Sequence, residues 1–588
     1  LTLSNGNSSY TGVTTISAGT VKIGAASVGG TNSPLGTTAA ATTVALGSRL
    51  DLNGFNLGIA EPLTLNGVGY GLGDFASGAL INSSGSSVTY SGLITLGTTG
   101  VLIKADSGNI SLTAAGTISG ATFALTLGGT GTATLSSIIG TTTGTVTKIG
   151  TGTWTLSGQN TYTGATTINM GTLKLGVSGG ATNTPLGTTG AGTTVASGAV
   201  LDFNGFTVGT AEALTINGRG INDGGAVIGA NVTFAGTVAQ ATDSRIANAS
   251  GTFIVSGAPS GAFNLIVGGA GNTTFSAATG TAGLSLTKQG AGTLTLSTNT
   301  NAHTGATRVE GGTLLYSANT VLMAATPLTV LGGTFNMAGS ADTIGAVTLI
   351  GGTISNGTLT GATAYTMESG TVSAILAGAI PFIKNTNNTV TLTGANTISS
   401  TTTVNAGTLA LSGSGSAVST TITVNLGGTL TLDNSATAVA SRLGDALALT
   451  MNGGNFNFIG NGAGASSETI GQLAFATGHN IVTVTPGAGG STTLTVANNP
   501  GLNRTAGATV LFRGTSLGSN AAANVSTLVF TTPPTLIGAG GASGSATVSI
   551  IKGAFGDSSL SGTGSDMVTY QGGVGLRLLN GGGFSNEY

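Results

Sequence analysis

Short runs that alternate aliphatic with hydroxyl-bearing side chains recur along the chain. Thr153-Trp154-Thr155-Leu156 and Thr408-Leu409-Ala410-Leu411 are typical, with an apolar residue at every second position. Because successive side chains of a strand point to opposite faces, this spacing predicts short β-strands with one apolar and one hydroxyl-rich face. Glycines separate the runs and supply turn conformations that a side chain would oppose. We expect no helix, since the residues that favour helices are scarce.

The strands recur at a nearly constant interval. In the third quarter of the chain the Gly-Thr pairs that open them begin at Gly292, Gly312, Gly333, Gly352, Gly370, Gly407 and Gly428. Most neighbouring pairs lie about 20 residues apart, and we interpret the wider gap between Gly370 and Gly407 as two units. A unit of this size cannot bury its own apolar face, whereas stacked coils share one core. The sequence therefore predicts an all-β parallel β-helix, or β-solenoid, with about 20 residues per coil. A sandwich is disfavoured because 588 residues exceed one sandwich core.

A longer repeat is superimposed on the short one. Thr31–Thr38 matches Thr182–Thr189, and Ala60–Gly67 matches Ala211–Gly218, both at the same offset in numbering (182 − 31 = 151). The sequence pattern changes after about residue 441, where strands that begin with a Gly-Thr pair become fewer. We therefore expect four regions: a first long repeat at 1–150, a second at 151–288, degenerate solenoid repeats at 289–441, and a divergent C-terminal solenoid region at 442–588.

One segment carries a family resemblance. Gly152–Leu173 resembles the autotransporter-associated β-strand repeat, also called the passenger-associated transport repeat. Further copies begin at Leu1 and Gly292, and a weaker one begins at Val390. The resemblance implies a right-handed β-helix that is secreted and displayed as an autotransporter passenger, a giant surface adhesin or an extracellular fibre.

Composition narrows the possible functions. The chain has 15 Lys and Arg, 17 Asp and Glu, and no Cys. So few basic residues cannot neutralise a run of phosphates, which argues against nucleic-acid binding. Without Cys there is no disulfide, thiolate nucleophile or Cys-based metal site. No apolar run of about 18 residues occurs, so we expect no transmembrane helix. We also expect no catalytic, cofactor-binding or metal site, and no cofactor.

A polysaccharide-degrading β-helix enzyme is the catalytic alternative, and it would need clustered acids and bases on one face. Three charge groupings are the densest: Arg49 with Asp51, Arg308 with Glu310, and Arg442 with Asp445. Alternate residues on a strand share a face, so we interpret the first two groupings as surface ion pairs. Two acidic positions recur in both long repeats: Asp51/Asp202 and Glu61/Glu212. Duplication explains their recurrence as well as function does.

The remaining candidates favour structural roles. His303 and His479 lie far apart without neighbouring carboxylate motifs, so we interpret both as turn residues and not as metal ligands. Gly564–Val568 resembles half of a calcium-binding repeat, but a real calcium site repeats the motif and this one does not recur, so we discount it. Gly69–Gly73 is glycine-rich but opens no helix that would bind phosphate. Trp154 occupies an inward strand position, and we expect it in the core.

The surface then carries the functional prediction. A nearly neutral face of Thr, Ser, Asn and Gly tends to associate, and uncapped strand edges template further strands. We predict a non-enzymatic, extracellular structural β-solenoid, a filament subunit or cell-surface stalk that self-associates laterally or head to tail through strand edges. The alternative is an adhesin or autotransporter passenger that binds glycans or cell surfaces. The polysaccharide-degrading enzyme is the third hypothesis.

Overall fold

The computed structural model describes residues 1–28, 30–71, 76–98, 100–280, 283–298, 301–317, 322–498, 502–581 and 583–587. Across these ranges the chain forms short β-strands, and its one helical element is a single 3-10 turn at Ile221–Asp223. The chain divides into two compact units, Leu1–Gly305 and Ala306–Tyr588. Within the described ranges no helix is long and apolar enough to cross a bilayer.

The first unit winds through three stacks of parallel strands, which we call faces A, B and C. Face A contains Thr14–Ile16, Thr42–Val44, Leu63–Leu65, Ile94–Leu96, Thr117–Ile118, Ile138–Ile139, Val232–Phe234, Thr252–Val255, Asn272–Phe275 and Thr293–Leu296. Face B contains Thr2–Leu3, Gly19–Ile23, Ser48–Asp51, Leu80–Asn82, Val101–Ala105, Leu125–Gly128, Val146–Lys148, Thr166–Ile168, Thr193–Val195, Leu214–Gly218 and Pro259–Ser260. Face C contains Val88–Tyr90, Ile110–Leu112, Thr132–Leu135, Thr153–Leu156, Gly171–Leu175, Ala199–Asp202, Val227–Gly229, Asn264–Gly268 and Ser285–Lys288. The long strand Val238–Asn248 pairs first within face B and then within face C.

Register fixes the length of a coil. Thr126 pairs with Thr147, and Thr147 pairs with Thr167, so each of these steps takes about 20 residues. Leu50 pairs with Leu80, a longer step that accommodates an inserted loop. Neighbouring strands run parallel and lie about 4.8 Å apart. The predicted parallel β-solenoid is thus confirmed, with longer coils where loops are inserted.

The two long repeats occupy different faces of the first unit. Thr42–Val44 stacks in face A, whereas its counterpart Thr193–Val195 stacks in face B. The second copy is therefore turned by one face relative to the first. Each copy also carries one antiparallel hairpin, formed by Asn32–Ser33 with Gly36–Thr37 in the first copy and by Asn183–Thr184 with Gly187–Thr188 in the second.

The interior is a row of mainly aliphatic side chains, which Lys148 interrupts between Leu127 and Ile168. In face B the inward row is almost fully buried and runs through Leu50, Leu80, Ile103, Leu127, Ile168, Val195 and Ile216. Full burial of each such side chain stabilises the fold by about 1.5–3 kcal/mol. Trp154 lies in the corresponding row of face C, between Ala133 and Leu173, and is fully buried. Its indole nitrogen donates to the Gly128 carbonyl at 2.9 Å, so the core position predicted for Trp154 is confirmed.

The second unit also winds through three stacks, which we call faces D, E and F. Face D contains Thr307–Val309, Leu328–Val330, Val347–Leu349, Tyr365–Met367, Phe382–Lys384, Thr401–Val404, Thr421–Asn425, Ala448–Asn452, Gln472–Thr477 and Asn503–Arg504. Face E contains Thr313–Tyr316, Thr334–Asn336, Thr353–Ser355, Gly370–Val372, Thr389–Leu392, Gly407–Leu411, Gly428–Asp433, Asn455–Ile459, His479–Thr485, Thr509–Gly514 and Ala554–Asp557. Face F contains Ala341–Ile344, Thr358–Gly361, Ile375–Gly378, Thr397–Ile398, Ser466–Ile470, Thr492–Val496 and Ser526–Phe530.

Face E changes direction near its C-terminal end. Asp566–Gln571 pairs antiparallel with Ala554–Asp557, and Gly575–Leu578 pairs antiparallel with Asp566–Gln571. Leu536–Ile537 and Ile550–Ile551 form another antiparallel pair. Arg577 and Glu587 are buried here and form a bidentate ion pair with both contacts at 2.6 Å. Parallel coil stacking therefore gives way to an antiparallel arrangement in this segment.

Candidate functional site

A buried lysine precedes three of the repeat copies identified in the sequence, those that begin at Gly152, Gly292 and Val390. Lys148 stands in the inward row of face B between Leu127 and Ile168, where both register neighbours are aliphatic. Its Nζ donates to the carbonyl oxygens of Ile149, Gly150 and Met170 at 2.8, 2.6 and 3.0 Å. The aliphatic stem thus lies in the core while the ammonium group holds a turn of its own coil and a turn of the next coil.

Lys288 and Lys384 repeat this arrangement. The Nζ of Lys288 donates to the carbonyls of Gln289 and Gly290 at 2.6 and 2.9 Å. The Nζ of Lys384 donates to the carbonyls of Thr386 and Ala406. Burial lowers the pKa of Lys148 and of Lys288 to about 8, because the charged form loses hydration. Sequence analysis missed these inward lysines, whose shared signal is a Lys that stands five residues before the Thr that begins the next strand, at Thr153, Thr293 and Thr389.

The charge groupings predicted from the sequence have mixed outcomes. Arg308 and Glu310 form a partly exposed ion pair at 3.3 Å, as predicted. The predicted surface pair of Arg49 with Asp51 is wrong. Asp51 is buried and lies 3.9 Å from Lys22 on the neighbouring coil, while the guanidinium of Arg49 lies over the ring of Tyr70. Asp51 therefore pairs with Lys22, its register partner on the neighbouring coil, and not with Arg49 on its own strand.

Asp51 and Asp202 keep the same role in both long repeats. Asp202 lies 3.7 Å from Lys174, as Asp51 lies 3.9 Å from Lys22, and each pair joins register partners. Asp51 also accepts hydrogen bonds from the backbone and hydroxyl of Ser83. Both carboxylates therefore join coils.

Arg442, from the third charge grouping, is a buried connector between coils. Its guanidinium donates to the side-chain oxygen of Asn434 and to four backbone carbonyls, those of Gly413, Gly415, Asp433 and Thr437. The Glu468 carboxylate accepts the backbone N–H groups of Arg442 and Leu443 at 3.0 and 2.8 Å. Asp445 accepts only from the Ser441 hydroxyl among the hydrogen bonds of the described chain. Backbone carbonyls accept most of the hydrogen bonds that the Arg442 guanidinium donates, so we assign Arg442 a structural role.

Glu61 and Glu212 are buried carboxyl groups with one oxygen satisfied. Glu61 accepts from Thr42 and Glu212 accepts from Thr193, both at 2.8 Å. The second oxygen of each carboxyl has no hydrogen-bond partner among the described residues. Burial raises both pKa values, that of Glu212 to about 7. Protonation relieves the cost of burying the charge, which is the expected response of an isolated buried carboxyl.

The two histidines differ in their surroundings. His479 begins a strand of face E, and its Nδ1 lies 2.9 Å from the hydroxyl of Thr509, so its interpretation as a turn residue is wrong. His303 lies between the strands Thr293–Leu296 and Thr307–Val309 and is fully buried. Its Nδ1 lies 2.7 Å from the Thr279 hydroxyl, and burial lowers its pKa to about 4. No group of three potential metal-ligating side chains occurs in the described ranges.

The glycine-rich candidates supply turns. Gly69 and Gly71 have positive φ values of 78° and 84°, and the rest of that motif, Leu72 and Gly73, lies outside the described residues. In Gly564–Val568, Gly564 donates its backbone N–H to Asp557, and Asp566 begins an antiparallel strand. Asp557 therefore accepts a hydrogen bond from a turn, and Asp566 is the first residue of a strand.

An open groove of about 320 Å³ crosses face E. Its floor includes one register row, in which Asn457 pairs with Thr483 and Thr483 pairs with Arg513. Ile481 and Leu560 add apolar surface to its lining. The Nε of Arg513 donates to the Gly562 carbonyl at 2.6 Å, which holds the guanidinium against this wall. The groove thus combines amide, hydroxyl and guanidinium groups beside a small apolar area.

The fold and these contacts define the class of protein as a parallel β-solenoid whose coils are joined by buried polar side chains. Four segments match the family model of the passenger-associated transport repeat: residues 1–23, 146–175, 286–315 and 382–411. The resemblance found from the sequence is therefore confirmed at all four of its copies. Comparisons with curated proteins and with solved structures found no match.

Proposed function

We propose that the chain is a non-enzymatic, secreted structural stalk of the passenger type, which acts at the cell surface. The observation that carries this proposal is the use of charged side chains inside the solenoid. Lys148, Arg442 and Asp51 each join neighbouring coils and are buried. The outward rows hold mainly hydroxyl groups, such as the face B row of Thr126, Thr147, Thr167, Thr194 and Thr215. Such a surface suits a spacer better than a reaction centre.

The antiparallel segment of face E supports a stalk over a filament that grows through the strand edge of that segment. Strand-edge stacking needs a parallel edge that accepts another parallel coil. In face E the parallel stack instead passes into the antiparallel strands Asp566–Gln571 and Gly575–Leu578. Lateral association through the hydroxyl rows remains compatible with this arrangement.

Surface display and protease resistance test the stalk. We expect protease added to intact cells that produce the protein to release it, and the purified chain to be degraded slowly because dense backbone pairing limits local opening. Retention of the chain inside protease-treated cells would contradict display. Glycan turnover by the purified chain that disappears in Asp51→Asn and Asp202→Asn variants would contradict the non-enzymatic assignment.

The face E groove favours one alternative, an adhesin that binds glycans. Amide, hydroxyl and guanidinium groups can all hydrogen-bond sugar hydroxyls, and Asn457, Thr483 and Arg513 lie in one row. A glycan array probed with the purified chain tests this function. We expect binding to be lost in an Arg513→Ala variant and kept in an Arg308→Ala variant, whose strand belongs to face D. Equal binding by both variants, or none by the wild-type chain, would exclude the groove as a glycan site.

A further inference from the structure

Three buried side chains meet at one corner of the first unit. Thr279, Asn301 and His303 are each at most 2% exposed. The Thr279 hydroxyl lies 2.7 Å from Nδ1 of His303 and 3.0 Å from Oδ1 of Asn301. The backbone N–H of Thr279 donates to the same Asn301 oxygen at 3.1 Å. Ala302 donates its backbone N–H to the Thr279 carbonyl at 2.7 Å, so the two coils are fixed beside one another at this point.

The equivalent positions in two other passenger-type repeats lack this combination. Asn160 accepts the backbone N–H of Ile139 at 2.8 Å, and Asn396 accepts that of Leu376 at 2.9 Å. In both, the side chain opposite the asparagine is aliphatic. Their amide nitrogens donate to backbone carbonyls, for example from Asn160 to Pro185 at 2.6 Å. These asparagines are structural connectors between coils.

The corner that contains Asn301 departs from the two other corners in three ways at once. Thr279 replaces Ile139 or Leu376 and brings a hydroxyl group. His303 occupies the place that Tyr162 has in the second copy of the long repeat, and it brings an imidazole. The Nδ2 of Asn301 has no hydrogen-bond partner among the described residues, unlike the amide nitrogens of Asn160 and Asn396. Among these three corners, only this one therefore brings together a hydroxyl group, a base and an amide nitrogen without a hydrogen-bond partner among the described residues.

These groups match the requirements of an acyl transfer. Burial lowers the pKa of His303 to about 4, so its imidazole is neutral at pH 7 and can accept a proton from Thr279. The Thr279 backbone N–H points at the oxygen on which negative charge would develop, as an oxyanion-stabilising donor does. Fixed coils hold the hydroxyl against the carboxamide, which replaces an encounter in solution with a prearranged contact.

We propose that Thr279 and Asn301 become joined by an intramolecular ester bond. Nδ1 of His303 takes the hydroxyl proton as Oγ1 of Thr279 bonds to the side-chain carbonyl carbon of Asn301. The resulting oxyanion at Oδ1 is held by the Thr279 N–H. The protonated imidazole then gives its proton to Nδ2, the carbon–nitrogen bond breaks, and ammonia leaves. The step needs no oxidant, reductant or co-reactant, and His303 is regenerated.

The ester would link two neighbouring coils, since Thr279 and Asn301 lie about one coil apart in the chain. The buried surroundings exclude water from the bond and so protect it from hydrolysis. The outcome is a covalent connection in a chain that has no cysteine and therefore no disulfide. In a stalk, such a bond would hold two coils together under tension.

Tryptic digestion of the denatured wild-type chain tests the bond directly. Trypsin cuts after Lys288, which places Thr279 in the peptide 246–288 and Asn301 in the peptide 289–308. We expect these peptides to remain joined, with a combined mass lower by one ammonia, and to separate after mild alkaline treatment. The peptides 105–148 and 149–174, which contain Ile139 and Asn160, are an internal control and should separate without treatment.

Two variants assign the chemistry. Thr279→Val removes the nucleophile at similar volume, and His303→Tyr installs the residue found in the second long repeat. We expect the joined peptide to be absent from the first variant and to form much more slowly in the second, while the internal control peptides are unchanged. Separate peptides of full mass from the wild-type chain would overturn the proposal. Separate peptides with Asn301 converted to Asp would also overturn it, because the bond would not persist.

Discussion

The Nζ of Lys148 lies 2.6 Å from the carbonyl oxygen of Gly150, although the side chain rises from an aliphatic row between Leu127 and Ile168. A lysine in this position fills the core with its methylene groups and satisfies carbonyls at the corner with its ammonium group. Both contributions are needed at a solenoid corner, where the backbone turns away from ladder pairing and leaves carbonyl oxygens without a strand partner.

Lys148→Met tests the importance of the ammonium group. Methionine keeps most of the apolar volume but leaves the carbonyls of Gly150 and Met170 without their donor. These hydrogen bonds are part-buried and join a charged donor to backbone carbonyls. A hydrogen bond to a charged group contributes about 1.5–3 kcal/mol, so we expect a loss of about that size in the free energy of unfolding measured in urea. Lys174→Met is the matched control. It removes a partly exposed partner of Asp202 and should cost under about 1 kcal/mol. Equal losses in the two variants would contradict the role assigned to Lys148.

Glu212 predicts a specific dependence of stability on pH. Burial raises its pKa in the folded chain to about 7, above the ordinary value of 4.5. The folded state therefore holds the proton more tightly than the unfolded state, and this stabilises the fold. The stabilisation is fully present below pH 4.5 and is lost as pH rises through about 7. A pKa shift from 4.5 to about 7 corresponds to about 3 kcal/mol.

Glu212→Gln isolates this effect from other titrating groups. We expect the difference in unfolding free energy between wild type and variant to grow in favour of the variant as pH is raised from 5 to 8. Thr193, which donates to the Glu212 carboxyl at 2.8 Å, can donate equally to the glutamine oxygen. A difference that does not change with pH would show that Glu212 titrates in the same range in the folded and unfolded chain.

Arg442 should be among the most sensitive charged positions. Four carbonyls and one side-chain oxygen accept from its guanidinium, and the side chain is fully buried. Arg442→Met leaves these acceptors unpaired, and we expect a loss of at least about 3 kcal/mol, since several unsatisfied acceptors add. Arg308→Met, which breaks a partly exposed ion pair, is the control and should change stability by under about 1 kcal/mol. Thermal unfolding, monitored by circular dichroism, compares the two variants. Equal stability of the two variants would refute the connector role of Arg442.

Trp154 gives a spectroscopic check on the core. It is the single tryptophan of the chain and is fully buried between Ala133 and Leu173. We expect blue-shifted fluorescence and little quenching by acrylamide until the chain unfolds. Trp154→Ala should lower the free energy of unfolding by about 3–5 kcal/mol, because it leaves a cavity that the stacked coils cannot close. Emission typical of a hydrated indole in the native chain would place Trp154 outside the core.

The sequence predicts the regular parts of this molecule well. Alternation with Gly-Thr spacing predicted the strands, the coil length and the inward position of Trp154, because these depend on local pattern. The inward lysines were missed, since Lys148 occupies an apolar position by directing only its last atom to carbonyls. The partner of Asp51 was assigned wrongly because Lys22 lies on the preceding coil and becomes a neighbour only through coil register.

The polar corners were also beyond local pattern. The contacts of a histidine at a corner depend on which residue of the preceding coil lies opposite. For His303 that residue is Thr279, which brings a hydroxyl group. Loop insertions change the length of each coil, so this pairing cannot be counted from a constant repeat.

Consecutive coils stack in parallel at one strand spacing, and distances along the outward threonine row of face B test this stacking most directly. The chain has no native cysteine, so spin labels can be attached at Thr126→Cys paired with Thr194→Cys, and at Thr126→Cys paired with Thr215→Cys. The row runs through Thr147 and Thr167 to Thr194 and then Thr215, which makes three and four strand steps. We predict mean separations of about 14 and about 19 Å, which differ by one spacing of about 4.8 Å. Separations that do not increase by one strand spacing would contradict the solenoid.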